Sequence, residues 1–135
     1  MNERGQTTVL VLGMALLAFA VAGLAVDVTR AWLFRRTLQN AADAAALAGA
    51  GELDRSEYYG SGGGAIALDA TASEHVVARW LARRSLDVNA RVDATDERVT
   101  VELEGSVATT FLSLAGVRSI PVAVRADAAP LPGTP

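Results

Sequence analysis

The chain has 135 residues, 51% of them hydrophobic, with 12 basic and 15 acidic side chains and a net charge of −3. That near-balance gives no electrostatic footing for nucleic acid. All twelve basic residues are Arg, Cys is absent and His75 is the only His, so lysine and thiolate chemistry, disulfides and multi-histidine metal sites are excluded and no cofactor or small-molecule substrate is expected.

Residues 5–26 form an uncharged run, aliphatic or Gly, Met and Phe from Val9 to Val26, that stops at Asp27. A membrane helix needs about 20 apolar residues to cross roughly 30 Å of hydrocarbon, so the run predicts a span over 6–27 behind a tail at 1–5. Ala18-Phe19-Ala20 and Ala20-Val21-Ala22 fit a signal-peptidase pattern, yet the apolar core exceeds a signal peptide's, which favours a retained anchor. Arg30, Arg35 and Arg36 follow the span against Arg4 before it. A plain positive-inside count therefore places the C-terminal side in the cytoplasm.

Residues 28–50 hold no Gly until Gly49 and no Pro, and predict that the helix continues outside the membrane. Val28, Trp32, Arg35, Leu38, Ala42, Ala45 and Gly49 recur at three- and four-residue steps. The alanine-rich stretch from Ala41 to Ala48 reads in two ways, as a close-packing surface in an assembly or as plain helix propensity. Residues 51–64 predict a loop with a flexible Gly62-Gly63-Gly64 end; no Lys follows it, so it is not a phosphate loop. Tyr58 and Tyr59 are possible contacts on it.

The small α+β domain is placed at 65–127. A helix is expected from Leu68 to Ser85, capped by Asp69 or Ser73, with His75 at its surface. The period then drops to two. Leu86, Val88, Ala90 and Val92 face Val99, Val101 and Leu103 across a turn at 94–97. A short helix is expected over Ser106–Ala115, then a third strand through Ile120, Val122 and Val124 whose Pro121 marks an edge. The Pro-rich tail at 128–135 reads as disordered. The expected fold is α+β: a long N-terminal transmembrane helix running into a small pilin-like domain with a three-stranded antiparallel sheet.

Arg4-Gly5 before the span, Val26-Asp27 at its end and the stretch LQNAADAAALAGA at 38–50 together resemble the TadE/TadG-like family of Flp (Tad) pilus-assembly proteins. The C-terminal strand segment is similar less specifically. The resemblance implies a non-enzymatic, single-pass membrane protein with a short cytoplasmic N-terminus and an extracytoplasmic domain, opposite to the local arginine count. It further implies a minor-pilin-like or assembly role, with the lipid bilayer and other pilus-assembly membrane proteins or pilin-like subunits as partners. Type IV prepilins carry Glu five residues past the processed Gly; here that position is Leu10, which shifts the expectation towards a retained assembly factor.

The interaction residues carried over are Asp27, Gln39, Ala42, Asp43 and Ala45. For Asp27 the competing reading is a span terminator bridged to Arg30 at i+3, and for Asp43 simple solvation. Two other classes stay open beside the pilus reading. One is a secreted or anchored binding domain using Tyr58, Tyr59 and the glycine loop. The other is a carboxylate hydrolase built on Asp93, Asp96 and Glu97, a cluster better explained as turn chemistry.

Overall fold

The computed structural model describes residues 3–60 and 66–130. The elements are α1 (Glu3–Gly49), α2 (Arg55–Gly60), α3 (Ala70–Ala82), β1 (Asn89–Ala94), β2 (Val99–Ala108), a 3₁₀ turn (Leu112–Ala115) and β3 (Ser119–Ala128). The fold is α+β, with a long N-terminal apolar helix and a three-stranded antiparallel sheet in the order β1-β2-β3. The glycine run 62–64 and most of the Pro-rich tail lie outside the described residues.

The chain divides into two compact units. One comprises residues 1–34 and 106–120, the other residues 35–105 and 121–135. In the second unit the core is one face of α1 against the inward faces of α3 and the sheet. Leu38, Ala41, Ala42, Ala45 and Ala46 of α1 are buried, as are Val77 of α3, Val99, Val101 and Leu103 of β2, and Val122, Val124 and Ala126 of β3. The alanines matter because a small side chain lets backbones approach closely. The limit is reached at Gly49, where a Cβ would lie 2.7 Å from Val77 Cγ2 and 3.2 Å from Val99 Cγ1. Beside it the buried Ser73 hydroxyl donates to the Gly49 carbonyl at 2.9 Å, satisfying an acceptor that the end of the helix leaves open.

The turn chemistry moves several expected boundaries. Asp69 caps α3 by accepting from the Ala72 amide at 2.9 Å, so the helix begins at Ala70 rather than Leu68. It ends at Ala82, and Ser85 turns the chain with φ 47°. That delays β1 to Asn89, in register with β2 as Asn89↔Glu104 through Ala94↔Val99. The predicted loop at 51–64 holds the short α2. The helix expected over Ser106–Ala115 is a correction: β2 continues to Ala108, and only Leu112–Ala115 coil, as a 3₁₀ turn. Strand pairing overrides local helix propensity here, a common outcome for a short segment.

On the polar face of the sheet a charge ladder crosses all three strands. Arg91 of β1 pairs with Glu102 of β2 at 3.5 Å, and Glu102 with Arg125 of β3 at 3.2 Å. Arg125 also meets Asp127 at 3.3 Å. The Thr100 hydroxyl donates to Asp127 at 2.6 Å. That bond first, and Arg125 second, hold the Asp127 carboxyl below its usual range, while Asp127 raises the Arg125 guanidinium further. A depressed carboxyl contributes stability above its unfolded pKa of about 3.9 and loses it as pH falls through the folded value. The melting temperature of Asp127→Asn should therefore lie below wild type at pH 7 and converge on it below about pH 4. Asp127 is partly exposed, so solvent screening keeps the gap small. A gap that persists unchanged at pH 3 would assign the effect to packing instead.

Candidate functional site

In the first unit the site is built around Asp27. Its carboxylate is buried, 1% exposed, on the same face of α1 as Gly23, four residues earlier. It accepts three consecutive backbone amides: Thr110 at 2.9 Å, Phe111 at 2.8 Å and Leu112 at 2.7 Å. Those amides lead into the 3₁₀ turn, whose flanking residue Phe111 offers no side-chain cap. A carboxylate from α1 supplies the acceptor that the turn's own sequence lacks, and charge-assisted bonds of this kind are the strong ones.

The neighbours complete the clasp. Arg30 Nη1 donates to Thr110 Oγ1 at 3.0 Å, so the span-end arginine also holds the hairpin tip. The Phe111 ring stands edge-on to Phe19, centroids 5.8 Å apart at 70°, and presses on Gly23, where any Cβ would overlap it. Gly23 is therefore required by close approach. At the far end of the turn Gly116 takes φ 90°, a left-handed conformation that favours glycine.

In the second unit Gln39 Nε2 donates both to Asp43 Oδ1 at 2.9 Å, one helical turn along, and to the Arg125 carbonyl at 3.1 Å on β3. Asp43 itself is exposed. Gln39, Arg35, Glu102, Glu104 and Arg125 line one open polar groove. Ala42 and Ala45 lie inside this unit's core at 0% exposure, so their side chains cannot meet another subunit while the unit is folded. Of the five residues carried over from the sequence, the structure brings Gln39 to Asp43, buries Ala42 and Ala45, and sets Asp27 in the other unit.

The arrangement is one of positioning. Asp27 accepts three backbone donors, His75 is exposed on α3, and Asp93, Asp96 and Glu97 sit at the exposed end of the β1–β2 hairpin. Among the described residues no cluster of three or more His, Cys, Asp or Glu could hold a metal ion.

Sequence reasoning missed Gly23, Phe111 and the amides of 110–112, because their partners are more than 80 residues away. The one available signal was a Gly spaced four residues from an Asp at the end of an apolar run.

No curated protein and no solved structure matches the chain. α1 is long and apolar enough to cross a membrane, which fits a single-pass membrane protein. The segment from residue 5 to residue 52, which carries Gly23, Asp27, Gln39, Ala42, Asp43 and Ala45, matches the family described as "Putative Flp pilus-assembly TadE/G-like".

Proposed function

We propose that the protein is a non-enzymatic, single-pass membrane component of a Tad-type (Flp) pilus or a related secretion apparatus, acting as an assembly factor or pseudopilin-like subunit. The observation that carries this reading is the family match over residues 5–52, which takes in both the apolar run and its helical extension. The N-terminus lies in the cytoplasm and the sheet domain outside the membrane. Arg30, Arg35 and Arg36 after the span count against this orientation, but whole domains translocate largely regardless of charge, and the topology that the family resemblance implies outweighs the local count. Leu10 in place of the prepilin glutamate supports an assembly factor that stays in the membrane.

The test is deletion of the coding sequence in its host, with surface pili counted by electron microscopy. Loss of pili, restored by the wild-type chain, is expected; unchanged piliation would sink the reading. Protease added to intact protoplasts should cut the sheet domain outside the bilayer while the span survives. A protected domain would reverse the orientation.

A further inference from the structure

We propose that the tip of the β2–β3 hairpin, residues 110–117, is sunk into the bilayer beside the apolar run of α1, with lipid acyl chains covering Leu114 and Val117. This rests on the reading of α1 as a membrane span.

Four observations within the first unit converge on it. The first is depth. Asp27 closes the apolar run, Gly23 lies about 6 Å below it along the helix axis and Phe19 about 12 Å below, at 1.5 Å per residue. Phe111 packs on both. If Asp27 marks the boundary of a hydrocarbon layer roughly 30 Å thick, the ring of Phe111 and the turn after it lie within the upper leaflet.

The second is composition. Residues 110–117 (TFLSLAGV) contain no charge. Leu114 is 85% exposed and Val117 46%. A single exposed Leu is ordinary on a water-facing surface. This one instead continues an apolar surface with Leu16, Phe19, Leu24 and Phe111, all lining one groove.

The third is the backbone. Within hydrocarbon, irregular chain is tolerated only where its polar groups are satisfied internally, since no water is there to bond them. Six of the eight amides of residues 110–117 have acceptors within the chain. The amides of Thr110, Phe111 and Leu112 go to Asp27. Those of Leu114, Gly116 and Val117 go to the carbonyls of Phe111, Ser113 and Leu112. The tip's one serine turns its hydroxyl back onto the Thr110 carbonyl at 2.6 Å. On this reading the buried carboxylate of Asp27 is what lets the loop's backbone leave water.

The fourth is where charge resumes. Arg118 follows the tip directly, and Arg30 is bonded to Thr110 at its other side. Arg30 lies about 4.5 Å beyond Asp27 along the helix axis, where headgroup phosphates would meet it. The occupant is therefore lipid: the apolar surface is continuous with the span, and its polar rim coincides with the span's end.

The chain has no cysteine, so single-cysteine variants label cleanly. Leu114→Cys, Leu12→Cys in mid-span and Thr95→Cys at the polar β1–β2 turn would each carry a nitroxide, in the full chain reconstituted into phosphatidylethanolamine–phosphatidylglycerol vesicles. Collision with oxygen, which partitions into lipid, is compared with collision with a water-soluble nickel chelate. Leu114 is exposed, so its replacement should leave the fold intact, and the circular dichroism of the labelled protein checks this. The expected result is that the label at 114 favours oxygen as the one at 12 does, while the label at 95 favours nickel. Preference for nickel at 114 with oxygen at 12 would overturn the sunken tip and leave the span standing. Preference for nickel at both would overturn the span and the tip together. Exclusion of both reagents at 114 would mean that protein, such as a second copy, covers the tip, and would also overturn the proposal.

Discussion

Replacing Asp27 with Ala should free the hairpin tip while leaving the sheet domain folded. Three amides lose their acceptor at once. A buried donor left unsatisfied costs about 1–3 kcal/mol, and bonds to a charged acceptor lie at the upper end. The losses are not additive because the loop can move away and find other partners. A net local destabilisation of about 3 kcal/mol is a reasonable expectation, equivalent to roughly a hundredfold faster amide exchange at Thr110, Phe111 and Leu112. Asp27→Asn keeps one carbonyl acceptor and should fall between Ala and wild type. The measurement is residue-resolved hydrogen exchange of the detergent- or vesicle-embedded chain. Unchanged protection at these three amides in Asp27→Ala would show that Phe111 packing alone holds the tip. The residues of the other core, such as Val101 and Leu103, should keep their protection in either case.

The second large effect is expected at Ala45. Its side chain is 0% exposed in the core of the sheet-bearing unit, and Leu adds a branched side chain to a fully buried position. Overpacking of this kind typically costs 1–3 kcal/mol, or about 5–20 °C in melting temperature for a domain of this size. A fall of that order in Ala45→Leu, read by thermal circular dichroism, would place any loss of assembly downstream of misfolding. The informative partner is Leu47, 70% exposed on the opposite side of the same helix. Leu47→Glu should leave the stability within about 0.5 kcal/mol of wild type, so a defect in assembly there would report a contact surface directly. Should Ala45→Leu melt like wild type and still fail to assemble, the small face would have to meet another subunit, and the core described above would be wrong at that position.

The carboxylates also show how far a residue's surroundings can be inferred from its own neighbourhood in sequence. Asp27 and Arg30 stand three apart on a helix, close enough for an intrahelical pair. In the folded chain each reaches instead to the hairpin tip, Asp27 to its amides and Arg30 to the Thr110 hydroxyl. Gln39 and Asp43, four apart, do bond within the helix. Gln39 shares its amide with β3, which spacing on the helix alone does not reveal.

What the sequence by itself determined was everything governed by local period and composition. The apolar run, its continuation as one helix, the switch to two-residue alternation at the hairpin and the edge character of the Pro121 strand all follow from side-chain spacing. So does the α+β class. Tertiary structure alone decided which surfaces are used up inside the chain. The alanine face of α1 looks the same in sequence whether it meets a sheet or another subunit, because close approach requires only small side chains and is indifferent to what approaches. Of the helix expected over Ser106–Ala115, the first three residues joined β2 and only Leu112–Ala115 coil, because pairing with the rest of the sheet outweighs the weak preference of so short a segment. Above all, Asp27 and its three amides are separated by more than 80 residues. A backbone donor has no side-chain signature, so a carboxylate that serves the main chain leaves no trace in the sequence at the place it serves.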